Sequence, residues 1–129
     1  KKIVQIKSSD QSDKKYIDYL SRDLNRLNNF LSKKKIKLIL SPINIPNSTT
    51  NTFNNQYKKA IILTNDFFKK FSNKNENVIF FDISKKLNSN DENFIDTCCH
   101  LSKVGAIKIA DELSLFLNKE KNILEIVFL

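Results

Sequence analysis

The amino-acid sequence predicts an α/β domain: a three-layer, doubly wound parallel sheet covered by helices on both faces. Three observations carry this. Short runs such as "IKLILSP" (36–42) and "NVIFFDIS" (77–84) are nearly continuously apolar, as strands buried on both faces are. Segments with helical spacing of apolar residues lie between them. The order is strand, helix, strand, loop, helix, strand, turn, helix, which is the order of a parallel sheet with right-handed crossovers.

Each element has its own signal. "KIVQIK" (2–7) alternates apolar and polar residues and reads as a short strand. "SSDQSD" (8–13) is a polar loop rich in helix-cap residues. Tyr16, Ile17, Leu20, Leu24, Leu27 and Leu31 then recur at helical spacing, predicting an amphipathic helix from 14 to 33. "KKK" (33–35) closes it with cations where the helix dipole favours them. "IKLILSP" is a buried strand stopped by Pro42, and "INIPNSTTNTFNN" (43–55) is a long polar loop leaving its carboxyl end. Loops of that length in a compact domain are often functional.

Tyr57, Ile61, Thr64, Phe67, Phe68 and Phe71 mark a second helix with Lys on its other face. "NVIFFDIS" is a third buried strand, ending in Asp82, and "KKLNSNDEN" (85–93) is a turn or short helix. The third helix spans 102–118, with Val104, Ile107, Ala110, Leu113 and Phe116 or Leu117 on one apolar face. "NILEIVFL" (122–129) fits a helix extension or an extra strand, with strand preferred.

Composition bounds the function. The chain has 129 residues, enough for one domain or for the C-terminal part of one. It is 40% hydrophobic and 28% charged, which excludes disorder by composition. Heavy use of Asn, Lys and Ile matches the bias of an AT-rich coding sequence. The formal net charge is +8, a balance that suits anionic partners. The Lys pairs are nevertheless scattered along the chain, with no aromatic-interleaved basic stripe, so nucleic acid is not the expected partner. Cys98 and Cys99 are neighbours, a poor geometry for a disulfide, and read as free thiols. One His and two adjacent Cys have neither the count nor the spacing of a zinc site. No apolar run reaches the ~18 residues of a membrane span. The chain contains no Met and starts at Lys1, so it is expected to be a processed form or a piece of a longer protein.

In "FIDTCCHLSKVGAIKIADELSLFL" (94–117) stand the only His and the only Gly of the chain. Asp96 precedes His100 by four residues, and a helix follows. Imidazole accepts and returns a proton near neutral pH, and a carboxylate on its far nitrogen fixes the tautomer. The pair is therefore either the acid and base of a catalytic site or a polar cap on a helix. Ser102 is a good N-cap. Gly105, in the first turn, would let the helix press close to the sheet. In open α/β sheets the working site lies beyond the carboxyl ends of the strands. Ser8, Ser9, Asp10, the 43–55 loop, Asp82, Asp96 and His100 are all expected near that edge.

The same block resembles the last conserved block of the SGNH (GDSL-type) hydrolases, where an Asp and a His precede a His-x-Ser/Thr-x-x-Gly pattern and a helix rich in Ile, Ala and Leu. Matching positions are Asp96, His100, Leu101, Ser102, Gly105, Ile109 and Ala110. The upstream order is similar to the second half of that family, and the likeness runs from about 2 to 118. It implies a flavodoxin-like sheet of the SGNH type, here incomplete. It implies His100 as base and Asp96 as its orienting acid. A small-molecule or carbohydrate ester would be the substrate, and neither a metal nor an organic cofactor is required. Ser9 and Asp10 fall where the family's Gly-x-Asn-Asp block belongs and would be the oxyanion or substrate-binding positions; Ser9 replaces the Asn.

Two departures define the expectation further. The family spacing is Asp-x-x-His, whereas three residues separate Asp96 from His100 and Thr97 holds the usual acid position. The Gly-Asp-Ser nucleophile block is missing, as is the block that supplies the Gly donor. Ser8 and Ser9 lack its flanking residues, and Cys98 or Cys99 lie too close in sequence to His100 to be served by it. The expectation is a serine ester hydrolase or acyltransferase portion whose nucleophile lies on a segment outside these 129 residues. The alternative is a non-catalytic α/β domain that binds a partner.

Overall fold

The computed structural model describes residues 11–46, 55–87, 91–96, 100–119 and 126–128. The strand expected over 2–7, together with Ser8, Ser9 and Asp10, lies outside them.

Helix α1 spans Gln11–Lys33, three residues longer at its start than the periodicity predicts. Its leucines face inward: Leu24 and Leu31 are buried, and Leu20 and Leu27 pack beside them. The helix ends in two closing bonds. Ile36 N–H donates to Leu31 C=O at 3.0 Å, and Lys35 N–H to Ser32 C=O at 3.0 Å. That pattern requires a left-handed residue just past the helix, and Lys35 supplies it with φ of 60°.

Strand β1 (Lys37–Leu40) is the centre of a three-stranded sheet. β2 (Val78–Phe80) pairs with it in parallel, Leu38 opposite Val78 and Leu40 opposite Phe80. On the other side β3 (Ile126–Phe128) also runs parallel, Lys37 opposite Ile126 and Ile39 opposite Phe128. The strand preferred for 122–129 is thus present over those three residues. β1 and β2 are shorter than the apolar runs that announce them, because the ends of those two runs serve the connections.

Helix α2 (Asn55–Lys74) lies between β1 and β2 in the chain. Thr64 and Phe71 are buried on the predicted face, with Phe67 and Phe68 partly so. α1 and α2 are tied by the Tyr16 hydroxyl on Thr64 Oγ1 at 2.9 Å and by a Lys59–Asp13 ion pair. A short helix α3 (Ser84–Leu87) and a 3-10 turn (Asp91–Asn93) follow β2, which resolves the "turn or short helix" of 85–93 into both. Helix α4 (Lys103–Lys119) comes next.

The pleat of β1 divides the core. Leu38 and Leu40 join Leu24, Leu31, Phe71 and Val78 in one cluster with α1 and α2. Ile39, between them, joins Phe81, Ile83 and Leu87 in a second cluster, against Ile109, Leu113, Phe116 and Leu117 of α4. The chain is therefore α/β, with a parallel sheet whose central strand is fully buried at Leu38, Ile39 and Leu40. α4 turns inward the second half of the expected face, Leu113, Phe116 and Leu117, together with Ile109, but not its first half. Val104 and Ile107 are 47% and 51% exposed, and Ala110 is exposed too.

Candidate functional site

The site is built on the short connection between the 3-10 turn and α4. Phe94 and Leu101 form an antiparallel bridge. Ile95 N–H donates to His100 C=O at 2.9 Å, and Ser102 N–H to Asn93 C=O at 2.9 Å. Both arms are anchored below. Phe94 is buried, and Leu101 packs into the cluster of Phe81 and Ile83, the residues just past β2. Leu101, the residue next to His100, is thus tied to a cluster that includes Phe81, the first residue past β2.

This pairing explains why Asp96 reaches. The two residues sit at the two mouths of one closed turn, so four positions along the chain become side-by-side neighbours. Asp96 Oδ2 contacts His100 Nδ1 in a charge-assisted hydrogen bond. A carboxylate only accepts, so the shared proton is on Nδ1, and in the neutral ring that tautomer puts the lone pair on Nε2. The side chains are 68% exposed for His100 and 40% for Asp96, which leaves Nε2 open to an incoming group.

The base of α4 holds the turn in place. Ser102 is its N-cap: Oγ accepts from Gly105 N–H at 3.1 Å and donates to Glu92 C=O at 2.7 Å. Lys108 Nζ donates to Glu92 Oε1 at 3.0 Å and Asn93 Oδ1 at 2.9 Å. Asn93 is wholly buried and donates its Nδ2 to Leu87 C=O. Gly105 presses on this turn rather than on the sheet. A Cβ there would sit 2.2 Å from Asn93 O. Only glycine allows that approach, so the chain's one Gly serves the loop that carries the His.

The other expected site residues fall into two groups. Asp82 accepts from Ser84 Oγ at the start of α3. The 43–55 loop leaves β1 through Ile43, which Asn65 of α2 brackets at N–H and C=O, 2.8 and 3.0 Å. Pro46 is fully buried. Ser9 and Asp10, like Ser8, Thr97, Cys98 and Cys99, lie outside the described residues. Sequence reasoning missed Asn93 and Lys108 as supports of the turn. Their only signal was a polar and a basic residue on either side of the His block, which is ordinary surface composition.

Among the described residues, no group of three or more His, Cys, Asp or Glu side chains is placed to hold a metal ion. No described helix is long and apolar enough to cross a membrane. No family model, curated protein or solved structure matches this chain.

Proposed function

We propose that this chain is the His/Asp-bearing portion of an SGNH-type serine ester hydrolase or acyltransferase. The observation that carries the reading is the Asp96–His100 contact through Nδ1, on a turn braced by the Phe94–Leu101 bridge. The buried central strand, with helices packed on its two clusters, suits part of a three-layer, doubly wound, flavodoxin-like sheet.

In this reading His100 Nε2 takes the proton of a Ser hydroxyl as that oxygen attacks an ester carbonyl. The tetrahedral intermediate expels the alcohol, which leaves with the proton from Nε2. Water, or an acceptor alcohol in an acyltransferase, then repeats the two steps on the acyl-enzyme. Asp96 holds the ring in the right tautomer and offsets the charge of the imidazolium. Ser9 and Asp10 serve as oxyanion or substrate-binding positions. The nucleophile is supplied by a segment outside these 129 residues, which contain no Gly-Asp-Ser sequence.

A second reading, a non-catalytic binding domain, is favoured by that same missing block. One experiment separates the two. The chain alone is expected to leave a generic aryl ester intact. A polypeptide extended by the sequence encoded upstream of Lys1 is expected to hydrolyse it, and His100→Ala to lower kcat by about 10²-fold or more. Ser-dependent turnover by the 129 residues alone, or an upstream sequence without a Gly-Asp-Ser turn, overturns the proposal.

A further inference from the structure

Helix α1 displays a face that linear spacing conceals. Lys15, Tyr19, Arg22, Arg26, Phe30 and Lys33 are all exposed. At 3.6 residues per turn they fall within an arc of about 80° and run along about 27 Å of helix. The expected absence of an aromatic-interleaved basic stripe does not hold for this helix.

The two rings are 48% and 57% exposed, yet each is attended by cations. Arg22 Cζ lies 5.1 Å from the centre of the Tyr19 ring and Lys15 Nζ 5.9 Å. Lys34 Nζ lies 5.3 Å from the centre of the Phe30 ring. Two acids border the stripe: Asp23, paired with Arg22 at 3.0 Å, and Asp18. Lys15, Arg22, Arg26, Lys33 and Lys34 outweigh them. Alongside runs a groove of about 440 Å³ between Ser21 and Asn25 of α1 and Lys70 and Lys74 of α2. Lys70 and Lys74 add positive charge across that groove, on the second helix.

We propose that this face binds single-stranded nucleic acid. Tyr19 and Phe30 act as stacking platforms, and Lys15, Arg22, Arg26 and Lys33 meet phosphates. The rings lie about 16 Å apart along the axis, so they take non-adjacent bases. The charge calls for a polyanion, and the chain's net +8 supports that at long range. The exposed rings call for bases with free faces, which a duplex hides in its stack. An anionic membrane is the weaker fit. A membrane-surface helix offers lipid an apolar face, and the leucines of α1 are committed to the core. The inference stands apart from the hydrolase reading, since it uses no residue of the His100 turn.

Fluorescence anisotropy with a labelled ~15-nucleotide oligothymidine, a duplex of equal length and anionic phospholipid vesicles tests it. The single strand is expected to bind more tightly than the duplex, and both more tightly than vesicles. Tyr19→Ala and Phe30→Ala are each expected to weaken single-strand binding about 5-fold or more. Arg22→Ala and Arg26→Ala are each expected to lower the slope of log affinity against log salt by about 0.7. All four positions are exposed, and circular dichroism confirms that the variants stay folded. No binding to the single strand at low salt overturns the proposal. So does equal binding of single strand and duplex, affinity unmoved by the ring substitutions, or a preference for vesicles.

Discussion

Asp96 and Gly105 act on the His100 turn in different ways, and single substitutions separate them. Asp96→Asn keeps the backbone bonds of the turn but no longer enforces Nδ1–H. In the nucleophile-bearing polypeptide, kcat for an aryl ester is expected to fall by about 10⁴-fold with KM little changed. A role for Asp96 as a mere cap would leave kcat alone. Gly105→Ala drives a methyl into the Asn93 carbonyl, 2.2 Å away. Backbone must move, at a cost of about 1–3 kcal/mol or more, read as a lower denaturation midpoint in urea. The His/Asp pair was legible as residues, because His100 is the only His in the chain and an Asp stands four residues before it. Their contact was expected from the resemblance alone, since the spacing differs from the family's; what the spacing did not show is the Phe94–Leu101 bridge that brings the two ends of the turn together. The partner of Gly105 was misjudged for a similar reason: a missing side chain shows that something approaches closely, without saying what.

At the scale of elements, the helices were readable in position but not always in rotation. The leucines of α1 and Phe67, Phe68 and Phe71 of α2 form one stripe each, and the structure packs those stripes into the core, while Tyr16 and Tyr57 at their starts are exposed. α4 is apolar over most of its circumference, so spacing alone does not choose its face. Tertiary anchors choose it: Gly105 against Asn93, and Lys108 on Glu92 and Asn93. With those fixed, Ile109, Leu113 and Phe116 turn inward and Val104 and Ile107 outward. Helix ends make two further predictions. Ser102→Ala removes the acceptor for Gly105 N–H and is expected to cost about 1 kcal/mol in chemical denaturation. Lys35→Gly relieves a side chain held at φ of 60°. The Lys was readable as a favourable charge near a helix end, whereas its left-handed backbone was not. Glycine there is expected to raise stability by about 1 kcal/mol, with the melting temperature moving upward.

Across the whole molecule, β1 couples everything, because consecutive residues serve opposite faces. Its burial was evident from the sequence, since an unbroken apolar run has no wet side. Its neighbours were not: β3, far along the chain, lies beside β1, and strand pairing leaves no local trace. Leu38 and Ile39 are both fully buried, one with α1 and α2, the other with α4 and Leu101. Their truncation should therefore differ in reach as well as in size. Leu38→Ala is expected to cost about 2–5 kcal/mol through the α1–α2 cluster. Ile39→Val removes one methyl and is expected to cost about 0.5–1.5 kcal/mol. The smaller change is nevertheless the one that loosens the packing under Leu101, next to His100. Amide hydrogen exchange reads this directly. In Ile39→Val the Ile95 and Ser102 amides, which close the turn, are expected to exchange faster, with those of α1 little altered. Uniform acceleration throughout the chain would mean that the two clusters open as one unit, and that the His100 turn has no local stability separate from the sheet.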